Sequence, residues 1–275
     1  MRARTLLLLA PLIALAIFAG PGKEALGARH ERILDFRSNI EVHRDGAVTV
    51  TEIIKVVSTG REIKRGIYRD FPTTYKDRLG NTVRVGFKVV EVLRDGRPEP
   101  YRLDARTNGI RIYIGHKDVL LKRGTYTYKI TYRTTRQIGF FENSDEIYWN
   151  VTGNGWDFAI ERASASVVLP EGAKALDYGA YTGRQGARGG DFIAGQDARG
   201  HMTFITTRAL KRREGLTIFV AWPKGFVAPP KPQDKARYFL GDNAGVLAAI
   251  AGIIVLLVYY VFAWLRVGKD PAGGT

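Results

Sequence analysis

The chain has 275 residues, with 42 Lys and Arg against 27 Asp and Glu for a formal net charge of +15, and it has no cysteine. The absence of cysteine excludes disulfides, thiol nucleophiles and thiolate metal sites together. A chain of this length buries enough apolar surface to stand without cross-links.

At the start, Arg2 and Arg4 precede an apolar run, Leu6 to Ala19, that is short for a membrane span. This layout predicts a signal peptide over 1–27, with Ala25 and Gly27 as the small residues before the cut. Cleaved or retained as an anchor, it exports everything from Arg29 onward.

The region 28–227 is dominated by period-two alternation of apolar and polar residues, the mark of half-buried strands. Leu34, Phe36, Ser38, Ile40 and Val42 share one face. Asp45-Gly46 then predicts a tight hairpin turn into AVTVTEIIKVV. Next comes KRGIYRDFPTTY (64–75), in which Arg65, Arg69 and Asp70 surround Gly66, Ile67, Tyr68 and Phe71. As a site, its arginines would grip a phosphate or carboxylate in bidentate fashion. As structure, an arginine would pair with a nearby acid while Ile67 and Phe71 fill the core.

Further on, Val83, Val85, Phe87 and Val89 alternate with polar positions, Ile110, Ile112 and Ile114 alternate with Arg111 and Tyr113, and Tyr126, Tyr128, Ile130 and Tyr132 share a face. The stretch YWNVTGNGW (148–156) sets Ile147 and Trp149 on one strand face with Tyr148 and Asn150 on the other, before Gly153 and Gly155 allow a turn into Trp156. Trp149 and Trp156 are expected in the core, with the Asn150 amide bonding the backbone of the turn. The competing reading makes this aromatic and amide cluster a platform for a sugar or another ligand. More strands are expected at FAIERASASVVL, HMTFITT and LTIFVAW, and the Gly-rich 173–200 segment should form long loops or a weak hairpin. No amphipathic helix is evident between Arg29 and Trp222. The predicted fold class is all-β, an exported antiparallel β-sandwich in one or two packed lobes followed by one transmembrane helix.

The segment APPKPQ opens a stiff, extended linker over 228–242. Residues 243–265 then run without a charge, long enough for a transmembrane helix, with Tyr259, Tyr260 and Trp264 near its far end and Arg266 and Lys269 beyond it. The last ten residues, 266–275, are read as a short cytoplasmic tail. These features predict a single-pass protein of the cell (inner) membrane whose bulk is extracytoplasmic.

Between Ala28 and Gly241 there are 37 Lys and Arg against 24 Asp and Glu, an excess of +13 on the exported part. That excess would attract anionic lipid head groups or cell-envelope polymers, and export makes nucleic acid a poor partner. Scattered along alternating strands, the same cations also fit the solvated faces of a sheet. His30, His43, His116 and His201 lie far apart with no metal-ligand spacing, and neither a GxSxG elbow nor a phosphate-cradling loop occurs. No metal, cofactor or catalytic residue is therefore expected.

RGIYRDFP, IYWNVTGNGWDFAI, VVLPEG and FVAWPKG together resemble the N-terminal region of the uncharacterised predicted membrane proteins grouped as domain of unknown function 2207. The resemblance runs from about Ile33 to Gly225, and VGKDP after the apolar run is similar to that family's juxtamembrane segment. It implies an exported β domain, a membrane helix, then a longer cytosolic part with further membrane segments, and no established activity. Because the sequence stops at Thr275, a C-terminally shortened form is expected. The leading functional expectation is a membrane-anchored protein that binds or scaffolds in the envelope. The alternative is an envelope enzyme or carbohydrate-binding module using the Trp149–Trp156 and Arg65–Asp70 stretches; burial of both tryptophans would favour the former.

Overall fold

The computed structural model describes residues 30–77 and 79–268. The signal peptide expected over 1–27, and the tail from Lys269 onward, lie outside the described residues. The chain folds as a mostly β structure, with two helices near its C-terminal end among the described residues.

Eight strands form the large sheet, in the order β15 (Phe192–Gln196), β16 (Met202–Thr206), β13 (Ala163–Val168), β1 (Arg32–Val42), β2 (Val48–Ser58), β10 (Gly124–Thr135), β6 (Gly86–Arg94) and β7 (Arg97–Pro98). The opposing layer is divided between two smaller sheets. One has the order β11 (Ile138–Phe140), β12 (Ser144–Asn150), β17 (Gly215–Pro223), β14 (Asp177–Gly183), and the other β3 (Ile67–Pro72), β9 (Gly109–Ile114), β8 (Tyr101–Arg106). A small hairpin, β4 (Thr74–Lys76) with β5 (Thr82–Arg84), stands apart. Aromatic contacts join the layers, with Phe71 stacked on Phe87 at 4.5 Å and 5.1 Å from Tyr132 and with Tyr178 6.3 Å from Phe204, while Phe71 and Trp149, 5.9 Å apart, join the two smaller sheets. The buried side chains form one continuous core, as expected for sheets packed face to face.

The hairpin of β1 and β2 forms as the sequence predicts, with Gly46 at φ +78° and the Asp45 carboxylate accepting from the Ala47 N–H at 3.0 Å. Four details differ from the expectations. Register shifts between Ile33 and Asp35, so Ile33, not Leu34, joins the core; a bulge of this kind moves every side chain before it to the other face. The pairing of β1 with β13 is parallel, because the chain returns to that edge only after crossing to the opposing layer. The Gly-rich 173–200 segment holds two strands, β14 and β15, which pair with β17 and β16 in different sheets; partner strands already fixed in those sheets supply the register that its own side chains do not.

The fourth difference concerns the linker expected over 228–242. Only 228–231 lacks regular structure, and helix α1 (Pro232–Asp242) follows. Lys231 is extended before Pro232, and proline at the first helical position is pre-set for helix. Next comes α2 (Ala244–Val267), which is long and apolar enough to cross a membrane and has no side chain buried by protein. Between the helices, buried Asn243 accepts from the Thr82 N–H at 2.9 Å and donates to the Thr82 carbonyl at 3.1 Å, and Asp242 accepts from the Arg84 N–H at 3.1 Å. The start of the apolar helix is thus clamped to the β5 strand.

Candidate functional site

The two stretches singled out in the sequence meet at Arg69. On β3, Ile67, Arg69 and Phe71 point inward; on β2, Glu52 lies in phase with Val48, Val50, Ile54 and Val56, all buried. The sandwich therefore encloses an opposite pair of charges. Arg69 is 6 % exposed and Glu52 0 %, and they form a bidentate pair, Nε to Oε2 and Nη2 to Oε1, both 2.9 Å. The Tyr132 hydroxyl donates to Glu52 Oε1 at 2.8 Å. Arg69 also donates to the carbonyls of Val151 and Asp70, each at 3.1 Å. Such pairing is what a charge needs to stay in the interior. Burial by itself would lower the guanidinium's pKa, but Glu52 outweighs that and holds it above its usual range. Burial and Glu52 likewise push the Tyr132 hydroxyl well up.

The turn after β12 is shaped around this guanidinium. Gly153 sits at φ +72°, and a Cβ there would come within 2.7 Å of Arg69 Nη1, so glycine is needed both for the backbone and for the room. Exposed Asn150 accepts from the Gly153 N–H at 3.0 Å and donates to Asn154 at 3.2 Å, as the turn reading expects. Trp156 is 6 % exposed, donates to the Thr152 carbonyl at 2.8 Å and packs edge-on against Phe36. Trp149 is 4 % exposed, and its indole N–H has no partner. Neither tryptophan offers an open face to a ligand. Arg65 lies apart, exposed in the loop before β3 and without an ion pair among the described residues.

On the outer side of β3, β9 and β8 the same register produces a polar surface. Asp70 takes a bidentate pair from Arg111 at 2.6 and 2.7 Å. The Arg111 guanidinium lies 4.0 Å from the Tyr68 ring centroid, and that of Arg102 lies 4.8 Å from the Tyr113 ring. Arg106 donates to the Tyr113 hydroxyl at 2.8 Å. The row continues through Tyr68, 3.4 Å from Asp157, which takes Arg212 at 2.6 Å and Arg213 at 2.7 Å. Hydrogen bonding from Arg212, aided by Arg213, holds the Asp157 carboxyl below the usual range; burial, then Asp157, raises the Tyr68 hydroxyl. Five arginines against three aspartates (Asp70, Asp104, Asp157) leave this face cationic.

Of the sequence candidates, Arg69, Asp70, Trp149, Asn150 and Trp156 come together, mostly as a packed junction. Sequence reasoning missed Glu52, whose signal was a carboxylate in the apolar phase of a strand. It also missed the arginine and tyrosine row, whose members come from β3, β8, β9 and two loops, and for which only cross-strand register supplies neighbours.

Among curated proteins, the chain is similar to the uncharacterized protein YciQ of Escherichia coli (strain K12), with 27 % identity over 268 residues, covering 95 % of this chain and 41 % of YciQ. It thus spans about two fifths of that relative's length. Among solved structures, yeast LTA4 hydrolase (13 % identity, TM-score 0.43, 70 % of this chain and 29 % of that one) and an M1 zinc metallopeptidase from Deinococcus radiodurans (12 % identity, TM-score 0.39, 69 % and 42 %) are likenesses too distant to carry an argument. The family model for the N-terminal domain of predicted membrane proteins of unknown function DUF2207 matches residues 32–222. Coming from a match over most of the sandwich, that makes the chain a member of the DUF2207 family of predicted membrane proteins.

Proposed function

We propose that the chain is a non-enzymatic, single-pass protein whose β-sandwich stands on the outer side of the cell (inner) membrane and works by binding or scaffolding. The contact face in this reading is the arginine and tyrosine row over β3, β9 and β8. One observation carries it: the central residues of both distinctive motifs are engaged within the fold, Arg69 with Glu52, Asp70 with Arg111, and Trp149 and Trp156 in the core. What they leave at the surface is a cationic, π-rich strip suited to anionic envelope polymers or acidic partner surfaces.

Two measurements test the reading. A phosphatase fused after Gly225 is expected to be active, and activity only from a reporter that needs the cytosol would reverse the topology. A photo-crosslinker placed at Arg102 or Arg212 should capture envelope components that one placed at Arg44, beside the β1–β2 turn, does not. Equal capture from all three positions would remove the proposed face.

A further inference from the structure

Beside the junction of sandwich and membrane helix the structure holds an open cavity of about 750 Å3. It lies between the Asp45–Gly46 turn, the β4–β5 hairpin, β11 and one side of α1. Ile138, Phe140, Tyr238 and Phe239 give it apolar walls, and seven charged side chains line the rest. The four carboxylates are already engaged. Asp45 takes Arg133 at 2.6 Å and Asp242 takes Arg136 at 2.7 Å; Asp234 takes Arg237 at 3.1 Å; Asp77 accepts from Leu79 and Asn81 in its own turn. Lys231 and Lys235, four residues apart where α1 begins, have no carboxylate partner among the described residues. Asp77 keeps its charge, and with Arg133 and Arg237 counted beside the lining there are five cations against four carboxylates, so the small excess is positive and lies at the two lysines.

Position supplies the second argument. Asp242, at one end of the wall, stands two residues before the first residue of α2. At about 1.5 Å per residue the 11 residues of α1 reach at most ~16 Å from that point. The lysines occupy the far end and the aromatic residues Tyr238 and Phe239 the near end. Phe239 and Leu240 are also substantially exposed, as befits an interfacial segment. Apart from the Asp242–Arg136 ion pair, the wall runs from aromatic near the membrane helix to cationic at its far end, which matches an amphiphile with its anionic end turned away from the hydrocarbon.

We propose that this cavity binds an anionic, phosphate-bearing lipid, its phosphate between Lys231 and Lys235 and its upper apolar part against Phe140, Tyr238 and Phe239. A phosphate draws on the ammonium groups as point charges, while the apolar walls distinguish a lipid from a free phosphate ion. The proposal rests on α2 spanning the membrane, which alkaline extraction of the full chain tests separately. A chain washed out of membranes would overturn the anchor, whatever the cavity's selectivity.

The cavity itself is tested on the full chain in neutral detergent by thermal shift, with short-chain phosphatidylglycerol, phosphatidylcholine of the same chain length, and inorganic phosphate as probes. Phosphatidylglycerol is expected to raise the melting temperature in a saturable way, and the other two to have little effect. Lys231→Gln with Lys235→Gln, both exposed and so expected to fold normally, should weaken the phosphatidylglycerol response at least tenfold. The pair Lys117→Gln with Lys174→Gln, at exposed positions away from the cavity, should leave it intact. Equal responses to both lipids, an inorganic phosphate response as large as the lipid's, or equal losses in the two lysine pairs would overturn the proposal.

Discussion

Removing Arg69 while leaving Glu52 tests the buried junction most directly. In Arg69→Met the side chain keeps much of its bulk, but Glu52, with no solvent access, retains only the Tyr132 hydroxyl as a partner. Stripping one member from a buried pair costs about 3–5 kcal/mol, since an uncompensated charge is left in the interior. For a domain of this size that lowers the melting temperature by roughly 6–20 °C. Glu52→Gln combined with Arg69→Met should recover most of the loss, because a neutral amide still accepts from Tyr132 and leaves no charge. Tryptophan fluorescence melts of the full chain in detergent provide the assay. Unchanged melting of Arg69→Met, or no recovery in the double variant, would refute the argument.

Trp149→Phe should cost only the space that the smaller ring leaves unfilled, because its indole N–H has no partner to lose, whereas Trp156→Phe also forfeits the bond to Thr152 and should cost about 1–3 kcal/mol more in the same melts. Gly153→Ala is expected to destabilise by about 1–3 kcal/mol through its left-handed backbone and its approach to Arg69, and wild-type melting would show that the turn can be rebuilt. The Asp157 carboxyl is depressed by Arg212 and Arg213, so its contribution is present above the unfolded value near 3.9 and disappears as pH falls through the folded one. Asp157→Asn should accordingly melt below wild type at pH 7 and level with it near pH 2; a gap that persists in acid would assign the effect to packing.

Period-two alternation carried the strands, the hairpin at Asp45-Gly46 and the inward faces of β2, β10 and β12 directly in the sequence, because side-chain direction along a strand is a local property. The uncharged run carried α2 in the same way, since length and composition alone set that element. Arg69 was also legible as inward, in phase with Ile67 and Phe71, and so was Glu52 on β2. That these two charges face each other was not, for 17 residues of chain and two different sheets separate them. The same limit applies to the parallel return of β13 beside β1, to the division of the second layer and to the row linking Arg102 with Arg213. The lysines of α1 read as ordinary linker charges until Asn243 and Asp242, clamped onto β5, turned that helix into the wall of a cavity. Direction of a side chain is written in its neighbours along the chain; its partner is decided by topology, which brings together residues whose sequence separation holds no record of the contact.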